Sequence, residues 1–500
     1  MAGSSPANSG GEGPVSPSSG GGAGDPSLGM PGGAWEPFAR LTRAEYRATI
    51  ASAFDIAPDP SLIPVDGRVG PYTSNADQPS DPVHPYLLLA EDMAQALVPA
   101  ALPECGGSGG VACLRDAYGA GLERLFRRPL TDTEFERLAT LIRELTEQGV
   151  SATDATRAML SAALASPDFL FRAAADGGSA ARGRRLAERI SYALWDAPPD
   201  EELLFALEGS TAELGARLGA EAKRLARDPR AVSAVARFVA QWLHVDTDAR
   251  LEDAAFEGSP RFRELLAFVQ DALENAVPVR DFVAGERGFV HRDNRAAYGL
   301  DQAGGGAEIA AVTWGADSPR RGVISEELFA DATRHPDKSR RVIFRGRLVR
   351  SSLLCDVIPA PAPELVAAAS EVGDRTTDAR CSSCHLLMDP IGKAFAAFDL
   401  DDPSGGGPAE IRSHSELAGS YPDLPSLFDA VATSRAFAEC FAKNWLSFFL
   451  EQPLAGADPV WIGAIADAVQ AGASLPEVVE STARTLEAGS AQVAPMCEGG

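Results

Sequence analysis

A chain of 500 residues, 45% hydrophobic and 23% charged, holds enough apolar side chains for several cores or one long multi-lobed assembly. Its formal net charge of −25 argues against nucleic acid and against an anionic membrane surface as partners, while permitting a basic redox protein. No run of 18 or more apolar residues occurs, so no segment is expected to span a bilayer.

Of the first 34 residues, 27 are Gly, Ser, Pro or Ala, the composition of a flexible tether and not of a packed domain. They lack the basic start and apolar core of a signal peptide. A Gly/Ser-rich opening of this kind fits the segment that follows a cleaved export signal or a lipid-anchored cysteine. Beyond the tether (1–34), breaks in composition suggest helical domains over 35–103, 104–175, 176–310, 311–405 and 406–500.

Leu41-Thr42-Arg43-Ala44-Glu45-Tyr46 opens the first helix, with Thr42 and Glu45 as a capping box and Leu41 and Tyr46 as its hydrophobic staple. Pro58 and Pro60 end it, residues 56–84 read as loop, and a second helix is expected from Pro85 to Leu102. Cys105 and Cys113 then flank a Gly-rich spacer, which lets two thiols meet but cannot hold a metal site open. Closing that loop as a disulfide stabilises by about 2.6 kcal/mol in the chain-entropy account and belongs to an oxidising compartment. Thr131 and Glu134 repeat the capping box. Leu138, Leu141, Ile142 and Leu145 continue the stripe at helical spacing. Further helices are expected over 151–172, around Leu186–Leu194, and over 200–208, 211–227, 229–244 and 260–276. Few stretches alternate with period two, so the fold class is mainly α. His84, His244 and His291 stand isolated and read as surface or packing histidines.

Residues 339–354 predict a basic amphipathic helix carrying Arg340, Arg341, Arg345, Arg347 and Arg350. These arginines suit either an anionic ligand group or an exposed face balancing nearby carboxylates. Pro359, Pro361 and Pro363 make a stiff connector to a helix over 364–370.

The chain then reads Cys381-Ser382-Ser383-Cys384-His385-Leu386-Leu387-Met388-Asp389-Pro390. Two cysteines three apart with a histidine directly after them form the attachment signature of a c-type haem. At i and i+3 both thiols share a helix face and meet the vinyl groups of one porphyrin edge, and the next imidazole reaches the iron. With seven Cys and six His in the chain, chance supplies on the order of 0.001 such strings. Cys381, Cys384 and His385 are therefore the cofactor-binding candidates for one covalent haem c, with His385 as proximal iron ligand.

Thr376 or Thr377 is the expected cap of the motif helix, and Asp389 before Pro390 should end it near Met388. Met388 lies on the same side of the ring as His385, so His335, His414 and Met496 are the candidates for the opposite ligand, His335 foremost. Five-coordinate iron is the alternative. Phe395 and Phe398 read as core residues. A buried helix is expected over 425–450 and a last one over 459–488. Among Cys355, Cys440 and Cys497 at most one pair forms, and spacing leaves the pairing open.

Several segments carry a resemblance: Phe38–Tyr46, Phe126-Arg127-Arg128-Pro129-Leu130, Ile190–Trp195, Pro199–Leu203, Arg321-Gly322, His335-Pro336, Leu353–Cys355, and Cys381–His385 with Met388-Asp389-Pro390 and Gly392. Together they resemble large secreted bacterial proteins of the planctomycete and myxobacterial type, built from consecutive domains of unknown function around a cytochrome-c-like motif. The resemblance covers nearly the whole chain after residue 35. It implies an exported, extracytoplasmic, haem-binding protein that transfers electrons to a redox partner, and it implies no substrate. Two other readings compete. One is a zinc or thiol-redox site at the same cysteines, which lacks a βαβ context and a good fourth ligand. The other is a scaffold of a surface assembly. No G-x-S-x-G, no H-E-x-x-H and no carboxylate pair supports a hydrolase.

Overall fold

The computed structural model describes residues 39–76, 83–98, 110–172, 179–207, 213–245, 256, 258–300, 306–368, 372, 374–399, 406–451, 453 and 459–492. Among these the chain is mainly α-helical. Its strands form only short antiparallel pairs, Ala39–Arg40 with Phe171–Arg172, Arg68–Val69 with Tyr72–Thr73, Arg287–His291 with Ile309–Thr313, and Ala409–Ile411 with Gly419–Tyr421. No described helix is long and apolar enough to cross a membrane.

Both capping boxes form as their residues dictate. The Thr42 hydroxyl accepts from the Glu45 N–H while the Glu45 carboxylate accepts from the Thr42 N–H at 2.8 Å, starting the helix Arg43–Phe54. Thr131 and Glu134 do the same for Asp132–Glu147. Each satisfies two donors that the first helical turn leaves without partners.

The helices pack into two large cores. The first joins Tyr46, Leu89, Leu122, Phe135, Leu160 and Phe169, so the helices on both sides of residue 103 share one interior. The second takes in Tyr72 together with side chains from Leu186 to Leu486 and centres on Phe238, Trp242, Phe441 and Trp445, whose rings lie 5.2–6.0 Å apart in stacked and edge-on pairs. Phe395 and Phe398 are buried in this second core.

A buried ionic knot ties the two cores together. Arg172 pairs with Glu45 at 2.9 Å and also with Glu451, which takes a second bond from Arg189 at 2.8 Å. Ser74 donates to the remaining Glu451 oxygen at 2.7 Å. Burial opposes ionisation of Glu451, yet Arg172 and Arg189 hold its carboxyl down at about 2. Burial with less compensation pushes Glu45 up to about 7.

Several expected helices are divided. The 151–172 stretch breaks at Ser166-Pro167, where Ser166 caps a new turn before the chain enters strand Phe171–Arg172. The 425–450 stretch is two helices, Leu424–Thr433 and Arg435–Leu450, because the Ser434 hydroxyl accepts from the Phe437 N–H and starts a second one. The final stretch is Pro459–Gln470 and Leu475–Gln492, separated by a turn in which Gly472 takes φ +91°. The second expected helix runs Val83–Leu97, slightly earlier than its proline suggested.

The basic helix is shorter than its pattern: Lys338–Leu348, followed by a π-helical turn over Val349–Leu353. Four of its arginines pair with protein carboxylates, Arg340 with Asp337 at 3.8 Å among them. Arg345 grips Asp399 with two bonds of 2.7 Å and donates to the Phe395 carbonyl, Arg341 reaches Asp399 at 3.4 Å, and Arg350 pairs with Asp356 at 3.0 Å. The arginines thus balance nearby carboxylates, one of the two expectations for them, but Arg345 and Arg350 do so while buried, and only Arg340 and Arg347 lie on an exposed face.

Candidate functional site

The motif lies on the helix Ser382–Ala394, with Cys381 as its N-cap residue. Neither Thr376 nor Thr377 caps it; both belong to a turn organised by Asp374, whose carboxylate accepts from the Thr376 N–H and hydroxyl. The helix also does not stop before Pro390, which sits inside it. The reason is tertiary. The motif helix crosses the basic helix with backbone against backbone, at Gly346 over the Met388 carbonyl and at Gly392 over the Val342 carbonyl. A Cβ at either glycine would overlap that oxygen. This crossing, with Ile391, Ala394 and Phe395 buried beneath, outweighs the hydrogen bond that proline removes.

The first turn of this helix therefore presents the chemistry. Cys384 and His385 donate their backbone N–H groups to the Cys381 carbonyl at 3.3 and 3.1 Å, which closes the turn with both thiols on it. Cys381, Cys384, His385, Leu386 and Leu387 are all partly exposed, so the turn carries both thiols beside apolar neighbours.

Cysteine usage separates these two thiols from the others. Cys355 and Cys440 are joined, which resolves the pairing that spacing left open, and Cys113 is also disulfide-bonded. Cys105 and Cys497 lie outside the described residues, so the expected Cys105–Cys113 bridge does too. Among the described cysteines only Cys381 and Cys384 are free.

His385 is oriented by a residue read at first only as a helix terminator. Its Nδ1 lies 3.0 and 3.2 Å from the two carboxylate oxygens of Asp389, one helical turn on. Both side chains are largely buried, 15% and 11% exposed. Nδ1–H donates to the carboxylate, which leaves Nε2 as the nitrogen with a lone pair. Among the described residues Nε2 has no hydrogen-bond partner. Burial pushes the Asp389 carboxyl up, opposed by the imidazole bond. The i, i+4 spacing of His385 and Asp389 is legible in the sequence, but the pair forms only because the helix continues through Pro390.

The candidates for an opposite ligand are not gathered at the motif. His335 is half-buried before the basic helix, accepts from the Asp337 N–H at Nδ1, and sets its ring edge-on to Phe344 at 6.2 Å. No hydrogen bond or ring contact joins it to the motif residues among those described. His414 Nδ1 is used in a turn, accepting from the Glu416 and Leu417 N–H groups. Met496 lies outside the described residues. Met388 is buried on the crossing.

One cluster was invisible in the sequence. Glu264 and Glu326 converge on the Tyr298 hydroxyl at 2.9 and 3.1 Å, while the same oxygen accepts from the Glu327 N–H. One O–H cannot donate to both carboxyls at once, so the trio requires a shared extra proton. Burial pushes Glu264 up to about 7 and holds Glu326 well above the usual carboxylate range as well. This is a carboxylate pair, contrary to the reading of the sequence, but both members are sealed from solvent at 0% and 1% exposure. It joins strand Arg287–His291 to helix Pro260–Glu274, and a hydrolytic substrate has no way in.

Among the described residues no three His, Cys, Asp or Glu side chains gather as a metal site, Cys381, Cys384 and His385 included.

Three family models match consecutive stretches of the chain. They are described as PSD5, protein of unknown function (DUF1595), over 113–173; PSD4, protein of unknown function (DUF1592), over 182–300; and PSCyt3, protein of unknown function (DUF1588), over 320–401. The last stretch contains the motif helix. No curated protein and no solved structure matches the chain.

Proposed function

We propose that this chain is an exported c-type haem protein that transfers electrons, with one haem joined to Cys381 and Cys384 and its iron bound by His385. The observation that carries the reading is the arrangement on one helical turn. Two free, partly exposed thiols precede an imidazole whose Nδ1 is engaged by Asp389, which leaves Nε2 as the nitrogen with a lone pair. The donor set fits the group: thiols for thioether bonds, a neutral nitrogen for iron, and Leu386 and Leu387 as apolar neighbours. When bound, haem supplies one-electron chemistry at iron.

The chain's own contribution is positional. Cys381 and Cys384 fix the porphyrin edge, His385 supplies Nε2, and Asp389 keeps the proton on Nδ1. Arg345 and Asp399 clamp the far end of the motif helix against the basic helix. The Cys355–Cys440 bridge favours an oxidising, extracytoplasmic compartment, where haem attachment also occurs. The description of the matched stretch 320–401 points the same way. A net charge of −25 suits a positively charged redox partner.

The test is to produce the chain behind an export signal together with haem-attachment machinery. The account expects a denaturation-resistant haem spectrum and one iron per chain. One zinc per chain and no bound porphyrin would favour a zinc site at the same cysteines instead.

A further inference from the structure

We infer that Asp389 is a positioning residue for the haem iron, one that gives the His385 ligand anionic character and so holds the iron toward its ferric, low-potential state. The inference rests on the haem reading above and adds to it a residue that tunes the iron ligand.

The argument is geometric. A ligating histidine generally donates its other ring N–H to an acceptor, and the nature of that acceptor tunes the metal. Here the acceptor is a carboxylate, with both oxygens within 3.0 and 3.2 Å of Nδ1. A carboxylate draws the Nδ1 proton more strongly than a neutral carbonyl does. Electron density at Nε2 rises with it, and the more highly charged ferric iron gains the most.

The pair is also held rigidly. Both residues lie on one helix, one turn apart, and that helix is pinned by the Gly346 and Gly392 crossings and by the Arg345–Asp399 clamp. Asp389 is 11% exposed, so water competes little for its oxygens. The residue after it is Pro390, which offers no backbone N–H to divert the carboxylate.

The experiment compares exported wild type with Asp389→Asn and Asp389→Glu, reading haem content by intact mass and the reduction potential by spectroelectrochemical titration. Asn keeps the size and an acceptor oxygen but removes the charge. The expected result is full haem attachment in Asp389→Asn with the potential moved upward, and a Glu variant that stays nearer to wild type. An unchanged potential in haem-loaded Asp389→Asn would overturn the inference while leaving the haem reading intact. If Asn loses haem and Glu keeps it, the carboxylate is again supported. Loss in both, from chains that fold, would overturn it by showing a packing requirement only. A wild type that carries no haem would overturn the underlying reading, and the inference with it.

Discussion

Two carboxyls with opposite shifts make the residue scale testable. Asp399 is half-buried, and burial alone would raise its carboxyl, but Arg345 and Arg341 hold it below the usual carboxylate range. A depressed acid contributes stability that is present above its unfolded value and is lost as pH falls through its folded one. Removing it leaves Arg345 buried and unpaired. Asp399→Ala is therefore expected to cost about 3–5 kcal/mol in denaturant unfolding at pH 7, and less at pH 3. Glu264 runs the other way. Burial raises it from 4.5 to about 7, so its contribution is full below 4.5 and is lost as pH rises to about 7. Glu264→Gln keeps the acceptor for the His291 N–H and cannot ionise. The expected outcome is a smaller loss of melting temperature between pH 5 and pH 8 than in wild type. Equal slopes would show that Glu264 ionises in the folded chain at little cost.

At the scale of elements, the crossing of Lys338–Leu348 with Ser382–Ala394 sets where the histidine stands. Gly346→Ala or Gly392→Ala puts a methyl group against a backbone carbonyl, which cannot rotate away. Each should destabilise by about 2–3 kcal/mol, within the usual range for overpacking, and Gly392→Ala should also disturb the visible spectrum of the loaded protein. Wild-type stability in both variants would mean that the helices separate freely. This crossing also explains what the sequence could and could not reveal. The capping boxes at Thr42 and Thr131, and the Cys381–His385 signature, are local patterns and were legible as such. The end of the motif helix was not, because the proline rule is local while the contact that overrides it comes from residues some 45 positions away. The Glu264–Tyr298–Glu326 trio was hidden for the same reason: three ordinary residues on three elements become a pair of carboxyls only when folded. The breaks at Ser166 and Ser434 were in principle readable, since both serines are good caps inside apolar stretches.

For the whole molecule, two ties hold distant parts of the chain together. The Cys355–Cys440 bridge closes a separation of 85 residues and links the segment before the motif to the buried helix Arg435–Leu450. The chain-entropy account gives about 4.5 kcal/mol for such a loop. A Cys355→Ala/Cys440→Ala double variant should lower the denaturant midpoint accordingly, while keeping both motif thiols. The Glu45–Arg172–Glu451–Arg189 knot connects the two cores. Glu451→Ala removes the carboxylate that Arg172 and Arg189 share, and the expected consequence is unfolding in two steps where wild type shows one, followed by fluorescence across a urea titration. A single transition at the wild-type midpoint would mean that the cores cohere without the knot.

The account as a whole depends on whether Cys381 and Cys384 carry a porphyrin. The most direct measurement is the intact mass, under denaturing conditions, of the chain exported alongside haem-attachment machinery, compared with Cys381→Ala/Cys384→Ala. The account predicts a wild-type mass greater by one haem and a double variant with none. A wild-type chain at its bare polypeptide mass, correctly exported and folded, would contradict it.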